Sequence, residues 1–528
     1  MEYFQINDLR MIAPLLIVSA TALLVLLLGA FHKSQANRGY LAWMSIVGLL
    51  IAGVDSFYLL GKDVKEFAFG QMLHIDGLTN SFNVIFVLAA VLGCLISPAY
   101  LRSHKLERGE YYALLLFSVV GMMTMVASAD LFTVFIGLEM MSIPIYCMAG
   151  FFRHSRRSAE SAMKYFILGA FASALFLYGI ALIYGLTGTT SLVQISDALG
   201  QVEFLRLQAY HNVTGEQVLK LGTLPAIALV LLVVSFAFKV SAVPFHMWTP
   251  DVYQGAPSSA TGFMAAGVKA AAFGALIRVF VVGFWPQAAR LSDTGWLVAF
   301  FWLALISMLV GNAVAIVQKD IKRMLAYSSI AHAGYLLVGF TAAAYNGESF
   351  ESMQSVLFYL VAYIFSTIGA FGVLAYFGKR GEECTTYDDL AGIAHKHPGA
   401  ALAMTIFMLS SAGIPPTAGF VAKFFVFKAA VDTGQMSFVL LAIAGVLFSV
   451  AGIYYYLRLL VSMYMKPAVR EANTLPSTEL KMALVICAGA TILLGLLPSP
   501  VLDFAHQGIS RVLGLPGEVA VEMVQHDH

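Results

Sequence analysis

Apolar residues in this chain recur in runs of about twenty, one after another, from residue 11 to residue 498. Such a run crosses the hydrocarbon core of a bilayer as an α-helix, at about 1.5 Å per residue over about 30 Å. A helix also satisfies its own backbone N–H and C=O groups, which find no water in lipid. The fold class expected is therefore all-α, a polytopic integral membrane protein. Fourteen runs are read, at 11–31, 40–60, 79–100, 111–128, 130–151, 161–186, 224–244, 258–283, 296–317, 325–344, 355–378, 400–431, 437–464 and 481–498. Only Ser128-Ala129-Asp130 separates the fourth from the fifth, so thirteen is the alternative count. The first run is too long for a signal-peptide core. Its end, Gly29-Ala30-Phe31-His32-Lys33, offers no convincing cleavage site, so it is read as a retained helix.

Composition narrows the functional classes. Charged residues make up 12% of the chain against about 25% in soluble proteins, and hydrophobic residues 59%. A soluble enzyme attached to a membrane is excluded. A net charge of +1 leaves no footprint for nucleic acid. Cys94, Cys147, Cys384 and Cys487 are scattered without a CxxC pair, which points away from zinc and iron–sulfur sites. There is no GxGxxG and no Walker loop to hold a nucleotide. No cofactor is expected in this chain.

Lysine and arginine concentrate in alternate connections: Lys33 and Arg38; Arg102, Lys105 and Arg108; Arg153, Arg156 and Arg157; Lys319, Lys322 and Arg323; Lys379, Arg380 and Lys396; Lys466, Arg470 and Lys481. The positive-inside rule puts these connections in the cytoplasm and both termini outside. The longest outside connection, 187–223, carries Asp197, Glu203, His211 and Glu216 and reads as a solvated loop. The tail from Ser499, ending His526-Asp527-His528, reads as a frayed terminus rather than a metal site.

Ionisable residues inside the runs therefore stand out. A charged lysine at a helix centre costs about 3 kcal/mol on insertion scales. Lys239 closes the run from Leu224, five residues before Pro244, and proline removes a helical hydrogen bond and disturbs the preceding turn. A buried charge beside a broken helix is how transporters build ion sites. Glu139 lies roughly 13 Å into its helix, too deep to snorkel, with Pro144 five residues on. Lys164, near the mouth of the sixth helix, either snorkels or pairs with Glu139 across the helix hairpin. Lys269 is surrounded by Ala265, Ala266, Gly267, Ala270, Ala271 and Ala272, small residues that let another helix approach. Lys423 follows a second break at Gly413-Ile414-Pro415-Pro416, while Lys428 beyond it can reach the outer surface. His246 follows the first break and His332 lies in the tenth helix. Beside these lysines they read as relay groups, since histidine titrates near neutral pH. Burial disfavours the charged form of a lysine, and an ionised carboxylate nearby restores it. A row of such groups, level with one another in the membrane, makes a proton-conducting line with an electrostatic trigger.

Runs four to eight and nine to thirteen form two blocks of five helices. Each has a proline-broken helix in fourth place, and five is odd, so the second block is inverted relative to the first. The division expected is an N-terminal three-helix segment at 1–110, a first repeat at 111–283, a second at 296–464, and a C-terminal helix and tail at 465–528. Lys239 precedes its break whereas Lys423 follows its own, and the second block has no obvious counterpart of Glu139.

Four stretches carry a resemblance: Gly137-Leu138-Glu139-Met140-Met141-Ser142; Lys239 to Pro257, with Pro244-Phe245-His246-Met247-Trp248-Thr249-Pro250-Asp251; Lys322-Arg323-Met324-Leu325-Ala326-Tyr327-Ser328-Ser329-Ile330-Ala331-His332; and Gly413-Ile414-Pro415-Pro416-Thr417-Ala418-Gly419-Phe420. With them the chain resembles the antiporter-like membrane subunits of respiratory complex I, over about residues 110–465 and more weakly before that. The resemblance implies proton translocation without a redox centre in this chain. It implies Glu139 and Lys164 as a coupling pair, Lys239 as a proton station, and Lys269 with His246 and His332 as a central line. Lys423 would be the outward-side station. A lysine at 423 fits one branch of the family, whereas the M-like sibling would be expected to carry glutamate. Missing long helices after the fourteenth run argue against the L-like sibling. NADH, FMN, iron–sulfur clusters and quinone would be handled elsewhere in the complex. K-, J- and M-like subunits would be neighbours in a bacterial inner membrane. The alternatives are a subunit of a multisubunit sodium/proton antiporter, the membrane arm of a hydrogenase, and a stand-alone solute carrier.

Overall fold

The computed structural model describes residues 6–31, 39–62, 64–152, 154–199, 215–284, 295–346, 350–379, 382–469, 474–475 and 477–509. Much of the 187–223 connection and the His526–His528 tail lie outside the described residues. The described chain is almost entirely helical. Helices α1 (Ile6–Met11), α2 (Ala13–Phe31), α3 (Gly39–Gly61) and α4 (Gly77–Ser103) open it. Helices α5 (Gly109–Ala127), α6 (Leu131–Ala149), α7 (Arg156–Thr187) and α8 (Gly215–Val240) follow. A short helix, α9 (Thr249–Gly255), leads into α10 (Ser258–Gly283). Then come α11 (Trp296–Val317), α12 (Ile321–Asn346), α13 (Phe350–Tyr376), α14 (Pro398–Ala412) and α15 (Ala418–Asp432). The chain closes with α16 (Met436–Met465), α17 (Thr478–Leu496) and α18 (Ser499–Ile509).

Among the described residues, 11 helices are long and apolar enough to cross a membrane. The count of fourteen is not reached by this measure. The run at 224–244 stops at Val240, the run at 400–431 divides into α14 and α15, and α12 is not apolar enough over its length. The doubtful boundary between the fourth and fifth runs is real. Asp130 caps α6 by accepting from the amides of Phe132 and Thr133 at 2.9 and 3.0 Å. Ala129 pairs with Met72 and Leu192, and Leu131 with Thr190, so three residues suffice to turn the chain.

Both expected breaks exist, and they are built alike. At the end of α8 the amide of Ala242 donates to the carbonyl of Ala237 and that of Ser241 to Phe238, at 2.8 and 3.1 Å. At the end of α14 the amide of Ile414 donates to Leu409 and that of Gly413 to Ser410, at 3.0 and 2.9 Å. This crossed pair is the Schellman closure, which needs a left-handed residue after the last helical turn. Gly413 supplies it at φ 82°, while Ser241 adopts φ 64° without glycine's freedom. Lys269 sits in α10 directly after a π-helical turn, Met264–Val268, and a second such turn follows at Ile277–Gly283. Such wider turns recur at functional sites. α10 and α13 are almost wholly enclosed, whereas α2 and α16 present most of their surface outward.

The ion pair that fastens α10 was not anticipated from the sequence. Arg278 and Asp76 are both essentially without exposure, joined at 2.6 and 2.7 Å. The guanidinium also donates to Thr79 Oγ1 at 2.9 Å and to the carbonyl of Val126 at 3.1 Å. Asp76 caps α4 at the same time, accepting from the amide of Thr79 at 2.9 Å. Burial alone would raise its carboxyl, but Arg278 outweighs that and pulls it down to about 2. Three helices, α4, α5 and α10, thus meet at one guanidinium.

Four outcomes are expected. Arg278→Leu leaves a buried carboxylate without its counter-ion and should cost about 3–5 kcal/mol, read as a lowered thermal midpoint of the purified assembly. The double variant with Asp76→Asn should recover part of that loss. Because the Asp76 carboxyl is held low, its contribution is present above pH ~4 and is lost as the pH falls toward ~2. Gly413→Ala forces a left-handed conformation on alanine and places a Cβ 2.9 Å from the Cδ of Lys423. It should destabilise by about 1–2 kcal/mol, and an unchanged midpoint would contradict this account of the break.

Candidate functional site

The lysines expected inside the membrane are buried, and each has polar partners. Lys239, in the last turn of α8, donates to Ser142 Oγ of α6 at 2.8 Å and to the hydroxyl of Tyr146 at 3.4 Å. Lys269, in the middle of α10, donates to Ser329 of α12, to its carbonyl and, at 2.6 Å, to its Oγ. Lys423 reaches back to the break that precedes it. Its Nζ donates to the carbonyls of Ser411 and Ala412 at 2.9 and 3.1 Å and to Ser449 Oγ at 2.7 Å. The carbonyls left over where α14 stops are thereby satisfied by the charged side chain itself.

Tyrosines join these stations. The ring of Tyr363 lies 5.1 Å from Lys269 Nζ and 5.1 Å from the ring of His332. The ring of Tyr335 lies 5.7 Å from His332 and 4.8 Å from Lys423 Nζ. A cation within about 6 Å of a ring face is attracted by its quadrupole. His332 itself bonds to the hydroxyl of Tyr359 through Nδ1 at 2.6 Å and to that of Tyr456 through Nε2 at 3.2 Å. Tyr456 is in turn bonded to Ser328. Lys269, His332 and Lys423 therefore form one buried line, bridged by the rings of Tyr363 and Tyr335, with tyrosine hydroxyls on His332 and serine hydroxyls on both lysines.

The first half of the row connects by a longer path. Rings run from Tyr146 to Tyr165 at 4.7 Å, to Trp248 stacked at 4.2 Å, and to Tyr253 at 6.4 Å. The hydroxyl of Tyr253 meets Ser329 Oγ at 3.4 Å, on the residue that holds Lys269. His246 is half-buried in the segment after the first break, its ring 6.4 Å from that of Tyr327. Among the described residues, no hydrogen bond joins it to Lys269 or His332.

The expected contact between Glu139 and Lys164 is not made. Glu139 accepts a hydrogen bond from Ser173 of α7. Lys164 lies nine residues earlier on that helix, roughly 13 Å along its axis, beyond the reach of its side chain. It binds Asp251 at 2.6 Å and Glu160 at 2.7 Å instead. Glu139 is one helical turn from Ser142, the partner of Lys239, on the same helix α6.

Lys322, counted above among the basic residues of a cytoplasmic connection, is fully buried and donates to the carbonyl of Ala256 at 2.5 Å and to Glu383 at 2.9 Å. Glu383 further accepts from Tyr100 at 2.5 Å and from the hydroxyl and amide of Ser258, at 2.6 and 3.1 Å. Burial would raise this carboxyl, but Lys322 and the three donors hold it below its ordinary value. Lys428 pairs with Asp432 at 2.7 Å and is nearly half exposed, in keeping with a lysine that reaches a surface. The site residues missed in the sequence were the tyrosines and serines, whose signal was present but faint. Tyr359 and Tyr363 are four apart, and Ser328 and Ser329 precede His332 by one turn.

Among the described residues, no group of three or more His, Cys, Asp or Glu side chains could hold a metal.

Comparison with known proteins agrees with the geometry. The family described as NADH:quinone oxidoreductase/Mrp antiporter, transmembrane, matches residues 128–449. The NADH-quinone oxidoreductase subunit N of Trichlorobacter lovleyi is 44% identical, over 97% of this chain and 99% of its own. The subunit N 1 of Sorangium cellulosum is 42% identical, over 94% and 98%. A chain of respiratory complex I from Thermus thermophilus superposes with a TM-score of 0.74 at 34% identity, covering 93% of this chain and 99% of that one. A chain of the Mrp complex from a Dietzia species shares the fold, with a TM-score of 0.76 at 20% identity, over 96% and 98%. Continuous coverage by relatives of matching length, together with the two broken helices and their lysines, identifies the chain as a member of the NADH:quinone oxidoreductase/Mrp antiporter transmembrane family, on its subunit N branch.

Proposed function

We propose that this chain translocates protons in the membrane arm of NADH:quinone oxidoreductase, driven by electron transfer that other subunits carry from NADH to quinone. The observation that carries this reading is the enclosed line from Lys269 through Tyr363, His332 and Tyr335 to Lys423. Fixed structural cations inside a protein are held by carboxylates, as Arg278 is. These two lysines are held by hydroxyls and carbonyls, which accept a hydrogen bond without pinning the charge. A group so held can exchange its proton with a neighbour.

In this reading Glu139, Lys164, Lys239, His246, Lys269, His332 and Lys423 are the titrating stations. Protons pass from Lys239 toward Lys269 and leave by way of Lys423. The two breaks, at Ser241 and Gly413, mark equivalent positions in two inverted repeats, 111–283 and 296–464. FMN and iron–sulfur clusters belong to other parts of the complex, and neighbours resembling its K, J and M subunits transmit the driving force. The membrane is the bacterial inner membrane, with both termini on its outer side. Lateral charge contacts between neighbouring subunits then act on the exposed part of the row, while the Lys269 to Lys423 segment stays enclosed.

The test is NADH-driven proton uptake by the purified complex in liposomes, measured beside NADH oxidation. Lys269→Met should lower proton transfer by about tenfold or more in an assembled complex, the scale of losing a positioned proton carrier. Glu139→Ala and Lys239→Ala should act in the same direction. Lys239→Arg should not rescue, since arginine keeps its proton. Undiminished pumping in the assembled Lys269→Met complex would refute the proposal.

A further inference from the structure

The helix α9 is only seven residues long, yet it touches both halves of the molecule. Its Asp251 receives Lys164 of α7 on one oxygen at 2.6 Å and Arg323 of α12 on the other at 2.5 Å. Arg323 also reaches Gln254 at 3.3 Å, and Ser161 of α7 donates to the carbonyl of Val252 at 3.1 Å. The approach is tight, since a Cβ on Gly255 would stand 2.6 Å from the carbonyl oxygen of Arg157. Two residues beyond Asp251, on the same short helix, is Tyr253. Its hydroxyl bonds to Ser329, and Ser329 holds Lys269. A displacement of α9 by a fraction of an ångström therefore acts on the partner of the central lysine.

We propose that Asp251, rather than Glu139, is the carboxylate through which Lys164 acts, and that Asp251 positions Lys269 by way of α9, Tyr253 and Ser329. This rests on the reading of the chain as a proton translocator. Asp251 is a positioning residue and does not carry the proton. When Lys164 is bound, Asp251 is drawn equally toward α7 and α12, and α9 is held between them. When a neighbouring charge pulls Lys164 away, Arg323 becomes the sole partner, and α9 is drawn toward α12. The hydroxyl of Tyr253 then shifts against Ser329.

The exposure of the groups decides that this bridge can switch. Asp251, Lys164 and Arg323 remain 32%, 40% and 31% exposed, so water competes for each charge and the pairs open readily. The carboxyl is nevertheless ionised: burial would raise it, but the hydrogen bonds from Lys164 and Arg323 hold it below its ordinary value. The Arg278–Asp76 pair, with no water at either member, opens only at the cost of an uncompensated buried charge. The Arg278–Asp76 pair is thus a fixed ionic anchor and the cluster at Asp251 an adjustable bridge, and the adjustable one adjoins the central line.

A double-mutant cycle in the intact complex tests this. The measured quantity is protons translocated per NADH oxidised in liposomes, with assembly checked on native gels. Asp251→Asn and Lys164→Met should each lower that ratio by about threefold or more, and the double variant should be no worse than either single one. Asp251→Glu should restore more than half of the ratio, which a merely structural role for the side chain would not give. Tyr253→Phe, which removes only the hydroxyl, should lower the ratio as Asp251→Asn does. It carries the test if Asp251→Asn does not assemble. Losses that multiply for Asp251 and Lys164, or a Tyr253→Phe complex with the wild-type ratio, would overturn the inference. A cycle in which Glu139 and Lys164 are the non-additive pair would do the same. If Lys269→Met itself pumps normally, the functional reading fails. If Lys269→Met is inactive while Asp251→Asn is unaffected, only the present inference fails.

Discussion

A helix that stops inside a membrane leaves its last carbonyls without partners, and lipid offers none. The fold is organised around two such stops. At both, the crossed Schellman bonds satisfy part of the need, and a side chain from elsewhere satisfies more. At the end of α14 the partner is the ammonium of Lys423, placed on the carbonyls of Ser411 and Ala412. At the end of α8 the indole of Trp248 donates to the carbonyl of Phe238 at 3.1 Å, and Ser307 accepts from the amide of Val243 at 2.9 Å. The broken helices thus repair their own backbone while holding a charged or aromatic group at membrane depth.

The two repairs are not alike, and the difference matters for what each break can do. Lys423 caps its own break, so a change at its side chain acts on the closure of its own helix. Lys239 lies before its break, and its bonds to Ser142 and Tyr146 run to α6 instead. A change at Lys239 is therefore felt by the helix that carries Glu139, and a change at Lys423 by its own break. The asymmetry is visible in the sequence, where one lysine precedes its prolines and the other follows. Its consequence is visible only in three dimensions.

Three ionic clusters surround the line, and their burial ranks them. Arg278 with Asp76 is dry and fully hydrogen-bonded, and it fixes α10 to α4 and α5. Lys322 with Glu383 is anchored by four further donors and acceptors at the opposite end of α10. Lys164, Asp251 and Arg323 remain wet. The helix bearing Lys269 is thus clamped at both ends, and the wet cluster sits on the short helix that leads into it. π-helical turns stand both ahead of Lys269 and at the end that Arg278 holds.

Much of this was legible in the amino-acid order. The length and spacing of apolar runs settle that the chain is a bundle of membrane helices, because a backbone in hydrocarbon has few ways to satisfy itself. Pro244 and Pro415 mark the stops through the backbone angle that they fix and Gly413 through the left-handed one that it permits, and the cost of burying a lysine singles out Lys239, Lys269 and Lys423. Partner choice was not legible. Glu139 and Lys164 looked paired because they are near in sequence and opposite in charge, but nine residues of helix rise keep them apart. Nothing in the order of residues names the partners of Arg278, Lys322 and Asp251, and only folding brings Asp76, Glu383 and Arg323 to them. Local sequence encodes the penalties of burial and the limits of backbone conformation. Which charge answers which is decided by the packing of helices far apart in the chain, since an ion pair depends on distance in space and not on separation in sequence.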